Sequence, residues 1–372
     1  MNQPLIAQRS PFAVEVEAGR DYFWCRCGRS ASQPFCDGSH KDSGLTPLRY
    51  HAERSERVFF LWLQAHGHTA LLRWQPQQVV VSARPGLREQ RMYRKVFANK
   101  VFDRKVVLIT GGCAGIGRAL AMRLAQAGAR LVILDLQQAA LDSLVQHLAD
   151  HHNAEALGLV CDVADSEAVQ RAVALAVERF GGIDVLVNNA GITHRSTFAE
   201  TSLEVFQRVM AVNYFGALHC TQAALPSLIV RRGQVIVLSS LSGIAPLLYR
   251  SAYNASKHAL HGLFETLRYE LKGSGVNVML VCPGFTATDL RKNALVGDGS
   301  VAAQPPLAMG KVASPQDVAE AIYRGALKRR RLLVLSNVDW RARVLARFFP
   351  RLFERVLLPR LSGLRPHGPE RR

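Results

Sequence analysis

The stretch Lys105–Gly128, KVVLITGGCAGIGRALAMRLAQAG, decides the fold. Val106 to Ile109 form an unbroken apolar run, the pattern of a strand covered on both faces. Gly111, Gly112, Gly115 and Gly117 follow directly, and from Arg118 onward apolar residues recur at helical spacing. Glycines at that junction let the main chain close on a pyrophosphate, whose charge is met by the N–H groups at the start of the helix. The spacing is Gly111-x3-Gly115-x-Gly117 and not G-x-G-x-x-G, so the flanking strand and helix carry the reading.

The alternation continues outward from this turn. Strand-like ARLVILD, ALGLVCD, IDVLVNNAG, QVIVLSS, VNVMLVCPG and RLLVLS are separated by helical patterns, the last of them near Pro315 to Lys328. Together they predict an α/β fold, a Rossmann-type doubly wound parallel sheet over residues 105–336. Asp135 closes the second strand, eighteen residues after Gly117. A carboxylate there accepts from ribose hydroxyls and repels a 2′-phosphate, which favours NAD over NADP.

Within this frame Ser239–Lys257, SSLSGIAPLLYRSAYNASK, gathers groups suited to proton transfer. Tyr253 and Lys257 are four apart, so both lie on one face of a helix beginning near Ala252. A phenol, with an unperturbed pKa of about 10, is a poor acid or base near neutrality, and an ammonium beside it favours the phenolate. Ser240, at the end of a strand, is placed to bond the same reacting oxygen of a hydroxyl/carbonyl pair.

The set Thr110-GGCAGIG, Asp162-Val163, Asn188-Asn189-Ala190-Gly191, Asn213, Ser240, Tyr253-x3-Lys257 and Pro283-Gly284 resembles the short-chain dehydrogenase/reductases across residues 105–336. The resemblance implies that Tyr253 is the general acid/base and that Ser240 orients the substrate oxygen. It further implies that Lys257 lowers the tyrosine pKa and bonds the nicotinamide ribose, while Asn213 holds a water that relays protons to Lys257. It sets Gly111, Gly115, Ile116, Gly117 and Asp135 against the coenzyme, Asp162, Val163 and Asn189 on its adenine side, and Thr286 near the carboxamide. Tyr249-RSAYNASKHAL and Asp289-LRKNALVGDGS look most like the membrane-associated branch that includes dehydrogenase/reductase member 7-type and 11β-hydroxysteroid dehydrogenase-type proteins, which act on steroids, retinoids and other lipophilic carbonyls. Residues 286–312, with Gly297, Gly299 and Pro305-Pro306, are expected to form a mobile substrate loop.

A second constellation lies upstream. Cys25, Cys27, Cys36 and His40 fall within sixteen residues, and ligand type alone suits either zinc or an iron–sulfur cluster. The run matches C-x-C-x2-S-x3-P-x-C-D-G-S-H at every position and so resembles the CDGSH iron–sulfur family over roughly Phe12 to Leu48. The resemblance implies a small β-rich domain, residues 1–83, with a [2Fe–2S] cluster on Cys25, Cys27, Cys36 and His40. One imidazole among thiolates is expected to raise the reduction potential above that of an all-cysteine cluster. Thirty-six residues further on, a worn second copy has Leu61, Leu63, Leu72 and Pro76 at the ligand positions and holds no cluster. Residues 84–104 read as a linker.

The 372 residues carry 47 Lys/Arg against 29 Asp/Glu, but between Arg324 and Arg372 fourteen cations meet only three acids. In the tail, residues 337–372, Arg343, Arg347, Arg351 and Arg355 stripe one edge beside Val344, Phe348, Leu352 and Val356, with Pro350 expected to kink the helix. That layout suits an anionic membrane surface, or packing on the protein itself; nucleic-acid binding has no use for so many phenylalanines and leucines. Cys113, Cys161, Cys220 and Cys282 are scattered among mostly apolar neighbours, the usage of a reducing compartment. Neither a secretory leader nor an apolar run of the ~20 residues needed to span a bilayer is present, so a cytoplasmic protein, at most peripheral on a membrane, is expected. Both resembled families imply a homo-oligomer.

The expected function is NAD(P)-linked interconversion of a secondary alcohol and a ketone on a lipophilic small molecule, with an accessory [2Fe–2S] cluster. The alternative is an iron–sulfur redox carrier or sensor that uses the dehydrogenase as a nicotinamide-responsive scaffold. Direct transfer between the two centres is disfavoured. A hydride carries an electron pair, a [2Fe–2S] centre takes one electron, and no second nucleotide fingerprint offers a flavin.

Overall fold

Among the described residues, six short strands build the N-terminal unit, Met1–Lys95. β1 (Phe12–Val16) pairs antiparallel with β4 (Glu56–Phe60), β2 (Asp21–Trp24) with β3 (Leu48–His51), and β5 (Leu72–Gln75) with β6 (Gln78–Val81). Among the described residues its buried apolar cluster is Val16, Trp24 and Ala52, with Val14, Tyr22 and Phe35 packed around it. Cores this small are commonly completed by a metal or another staple. The computed structural model describes residues 12–25, 27, 29–41, 46–60, 72–75, 78–81, 101–290, 292–302, 312–335 and 348–356. Leu61, Leu63 and Pro76 of the worn second copy, the linker stretch 84–100, loop residues 303–311 and tail residues 337–347 and 357–372 lie outside them.

The second unit, Val96–Arg372, holds the sheet that the first quoted stretch predicts. Its strands are β7 (Val106–Thr110), β8 (Arg130–Asp135), β9 (Ala156–Val160), β10 (Val185–Asn188), β11 (Gln234–Leu238), β12 (Asn277–Pro283) and β13 (Leu332–Leu335). They are parallel throughout, in the order β13-β12-β11-β10-β7-β8-β9. β7, β10 and β11 are buried at every position, which is why each reads as an apolar run with a single polar residue at one end.

Successive side chains leave a strand on opposite faces, so each face has its own core. Val107, Ile109, Leu131 and Ile133 pack under α1 (Gly115–Ala125), α2 (Gln138–His152) and the later helix Pro315–Leu327. Val106, Leu108, Val235 and Leu280 pack under α3 (Ser166–Phe180) and the helices Gly216–Val230 and Ser251–Glu270. Between them in the chain, α4 (Leu203–Met210) passes into α5 (Gly216–Val230) through one π-helical turn, Ala211–Phe215. α6 (Ser251–Glu270) begins where the sequence predicts, and α7 (Pro315–Leu327) starts at a Ser314 cap with proline at its first position. α8 (Pro350–Val356) is the described part of the tail; its Phe348–Leu352 approach exposes Phe348, Phe349 and Leu352 while Phe353 is buried. Among the described residues no helix is long and apolar enough to cross a membrane.

From β7 the chain steps outward to β8 and β9, then returns to β10 on the other side of β7. The order therefore reverses between β7 and β10, and the carboxyl ends of those strands diverge into a crevice.

Candidate active site

A cleft of about 580 Å³ opens at that reversal. Gly111, Gly115, Ile116, Asp135, Asn189, Ser240, Tyr253, Lys257 and Thr286 all line it. Gly111 and Gly115 have φ of +61° and +51°, the left-handed region that a side chain resists. A Cβ at Gly117 would collide with Gly111 O and Asn189 Nδ2, so the turn can close only on glycine. Asn189 Nδ2 donates to Thr110 O at 2.9 Å and Gly111 O at 2.8 Å. Thr110 Oγ1 accepts from the main-chain N–H of Asn189 at 3.0 Å and of Ala190 at 2.9 Å. The loop after β10 is thereby stitched to the glycine turn after β7. Asp135 stands at the end of β8, its two oxygens accepting from Cys113 N at 2.9 Å and Leu136 N at 2.8 Å. Burial and that neighbouring carboxylate push the Cys113 thiol up to about 12 and keep it protonated.

Across the cleft, α6 presents Tyr253 and Lys257, both buried on one face. The ammonium donates to Leu238 O at 2.8 Å, and burial pulls its pKa down to about 8. Burial raises the Tyr253 pKa; a hydrogen bond from the Ser240 hydroxyl and the charge of Arg250 act against it. Lys257 Nζ lies 5.6 Å from the centre of the Tyr253 ring. Asn213 sits in the π turn, where its Oδ1 accepts from Ile192 N at 2.8 Å. Its Nδ2 donates to Ile192 O at 3.0 Å and Ser256 Oγ at 2.9 Å. That amide joins the β10 loop to α6. A Cβ at Gly191 would come within 3.5 Å of Lys257 Nζ and 3.1 Å of Asn213 Oδ1, so this glycine keeps the space beside the ammonium clear.

In the N-terminal unit the four soft ligands gather as two pairs. Cys25 Sγ and Cys27 Sγ are 3.6 Å apart and buried, and Cys36 Sγ is 2.9 Å from His40 Nδ1. Among the described residues no group of three or more His, Cys, Asp or Glu gathers around one point. A zinc ion draws its four ligands into a single tetrahedron, whereas each iron of a two-iron cluster takes two protein ligands, so the paired arrangement fits the cluster. The rest of the motif braces the loop. The Ser39 side chain, with Ser39 N at 3.0 Å and Ala31 N at 2.7 Å, holds the Asp37 carboxyl well below the usual range, and Ser30 Oγ donates to Phe35 O at 2.6 Å.

Residues 105–297 match the family model described as short chain dehydrogenase. The chain belongs to the short-chain dehydrogenase family. Residues 4–41 of this dehydrogenase match a second family model, described as iron-binding zinc finger, CDGSH type. The dehydrogenase is 33% identical over 279 residues to dehydrogenase/reductase SDR family member 7B of Rattus norvegicus, across 73% of this chain and 85% of that protein. It is 34% identical to a dehydrogenase/reductase SDR family protein 7-like of Anopheles gambiae, across 78% and 90%. Among solved structures it is similar to a short chain dehydrogenase/reductase from Burkholderia phymatum in complex with NAD. The TM-score is 0.59 at 27% identity, covering 72% of this chain and 99% of that one. An alcohol dehydrogenase from Thermococcus sibiricus complexed with 5-hydroxy-NADP is likewise similar, with a TM-score of 0.54 at 27% identity over 62% and 95%.

Four residues named from the sequence of this dehydrogenase lie off the cleft lining: Gly117, Asp162, Val163 and Asn213. Asp162 is exposed and its Oδ1 caps Ala164 N at 2.9 Å, while Val163 is buried against Gly216, where any Cβ would strike it. One residue that the sequence reading passed over does line the cleft. Arg250 stands three positions before Tyr253, one helical turn away, and brings a positive charge to the phenol.

Proposed function

We propose that this oxidoreductase interconverts a secondary alcohol and a ketone on a lipophilic small molecule, with NAD as coenzyme. The observation that carries the reading is the cleft floor, where Tyr253 and Lys257 lie buried on one face of α6 and Ser240 lines the same cleft. Bound nicotinamide supplies or takes up the hydride. Tyr253 gives its phenolic proton to the substrate oxygen in reduction and recovers it in oxidation, and Ser240 orients that oxygen. Lys257, held by Leu238 O beside the space that Gly191 leaves open, biases the phenol toward ionisation and bonds the nicotinamide ribose. Asn213 fixes the β10 loop to α6, so it positions these groups from behind.

Asp135 at the cleft edge disfavours a 2′-phosphate and supports NAD. Ile192, Leu247, Phe285 and Leu290 give the cleft apolar walls, which support a lipophilic substrate. Cys25, Cys27, Cys36 and His40 would hold a [2Fe–2S] cluster, a one-electron centre. In the tail, Phe348, Phe349 and Leu352 are exposed beside Arg351 and Arg355, which supports docking of residues 337–372 on an anionic membrane surface. Flotation with anionic vesicles, with and without those residues, checks the docking; equal binding contradicts it. The catalytic reading is tested by NADH-linked turnover in Tyr253→Phe, which is expected to be lost.

A further inference from the structure

His261 belongs to none of the sets above, yet it touches the segments that lead to Ser240 and Thr286 and shares a helix with Tyr253 and Lys257. It lies one helical turn beyond Lys257 on α6 and is 8% exposed. Its Nε2 is 3.0 Å from Ser239 Oγ and 3.6 Å from Cys282 Sγ, and its Nδ1 is 3.4 Å from Glu265 Oε1. Ser239 directly precedes Ser240 at the end of β11. Cys282 lies on β12, directly before the Pro283-Gly284 turn that leads to Thr286. A single imidazole thus joins the three segments from which the serine, the tyrosine–lysine pair and the Thr286 loop project.

The packing around it leaves little play. Ser239 Oγ also approaches Lys257 O at 3.5 Å, and a Cβ at Gly243 would strike that hydroxyl and come within 2.9 Å of Lys257 O and 3.0 Å of His261 Cδ2. Hydroxyl, imidazole and carboxylate follow the order of a hydrolytic triad. Ser239, however, is 5% exposed and lies against the peptide of Lys257, so it serves as a tether and not as a nucleophile.

We propose that His261 is a positioning residue for the reaction, holding Ser240 in register with Tyr253 through Ser239. This rests on the reading of Ser240, Tyr253 and Lys257 as the reacting set. The physical reason is that Ser240 and Tyr253 face one cleft from two separate elements, the end of β11 and α6. A displacement near 1 Å between groups of that kind costs rate far out of proportion to its effect on binding.

The test uses the full-length protein with NAD present. Tyrosinate absorbance is titrated in wild type, His261→Phe, His261→Gln and Ser239→Ala, and the same titration of Tyr253→Phe is subtracted to isolate Tyr253. The Ser240 bond lowers the phenol pKa, so loosening it raises the midpoint. His261→Phe and Ser239→Ala are expected to raise the midpoint by about one pH unit, and His261→Gln, which can still donate to Ser239, to restore most of it. In cyclohexanone reduction kcat is expected to fall about tenfold while KM for NADH stays within about twofold. An unchanged midpoint in Ser239→Ala overturns the proposal even where His261→Phe fails to fold. Failure of the underlying reading looks different: Tyr253→Phe itself would then turn over as fast as wild type.

Discussion

Lys257 Nζ donates to the main-chain carbonyl of Leu238 at 2.8 Å, tying α6 to the last residue of β11. The bond holds a buried ammonium where the coenzyme ribose is expected. Burial lowers its pKa from 10.5 to about 8, so between those values the unfolded chain binds the extra proton. Stability should therefore rise with pH across that window, with the whole penalty present below about pH 8. Lys257→Met removes the penalty and also the bond to Leu238. The coenzyme-free variant should be more stable than wild type by about 2 kcal/mol at pH 7, the gap closing toward pH 10.5. Urea denaturation at the two pH values checks this.

The phenol gives a second pH signature. Alcohol oxidation needs the phenolate, so its kcat should rise with pH through the Tyr253 titration. The Ser240 hydroxyl and the Arg250 charge both favour the phenolate. Ser240→Ala and Arg250→Leu should each move the rise to higher pH, while ketone reduction, which needs the phenol, persists further into alkali. The kcat profiles in both directions show whether the shifts have opposite consequences.

Thr110 Oγ1 accepts from two main-chain amides of the β10 loop. Thr110→Val keeps the shape and leaves both donors without that acceptor, so it should destabilise the fold by about 2–4 kcal/mol. Denaturant unfolding measures the loss, and a change below about 0.5 kcal/mol would show the stitching to be unimportant.

Much of this was legible in the chain because the physics is local. β7 and β11 read as strands since burial on both faces calls for the apolar runs Val106–Ile109 and Val235–Leu238, and the glycine turn reads because only glycine fits beneath Asn189 and at positive φ. Spacing puts Tyr253 and Lys257 on one helical face, and the motifs around them suggest their roles. What escaped depends on contacts distant in sequence. The π turn around Asn213 is one short turn between two α-helices, and no residue type in AVNYF marks it. Asn189 gives its amide to the turn, and both oxygens of Asp135 accept main-chain N–H groups, bonds that no sequence pattern distinguishes from direct coenzyme contact. Pairing of β1 with β4 spans more than forty residues, and His261 meets Ser239 and Cys282 only after the sheet has formed.

The paired ligands of the N-terminal unit set a compositional test. Protein purified without oxygen should carry about two iron atoms per chain and absorb in the visible, and Cys36→Ser should lose both. One zinc per chain with no visible absorbance would overturn the cluster.

The most direct measurement concerns Tyr253. NADH oxidation with a panel of lipophilic ketones is followed in wild type and in Tyr253→Phe, with NADH binding measured separately by fluorescence. The phenol is the proton donor, so the variant should lose at least about 100-fold in kcat while binding NADH nearly as well as wild type. A Tyr253→Phe protein that reduces the same ketones at the wild-type rate would contradict the account.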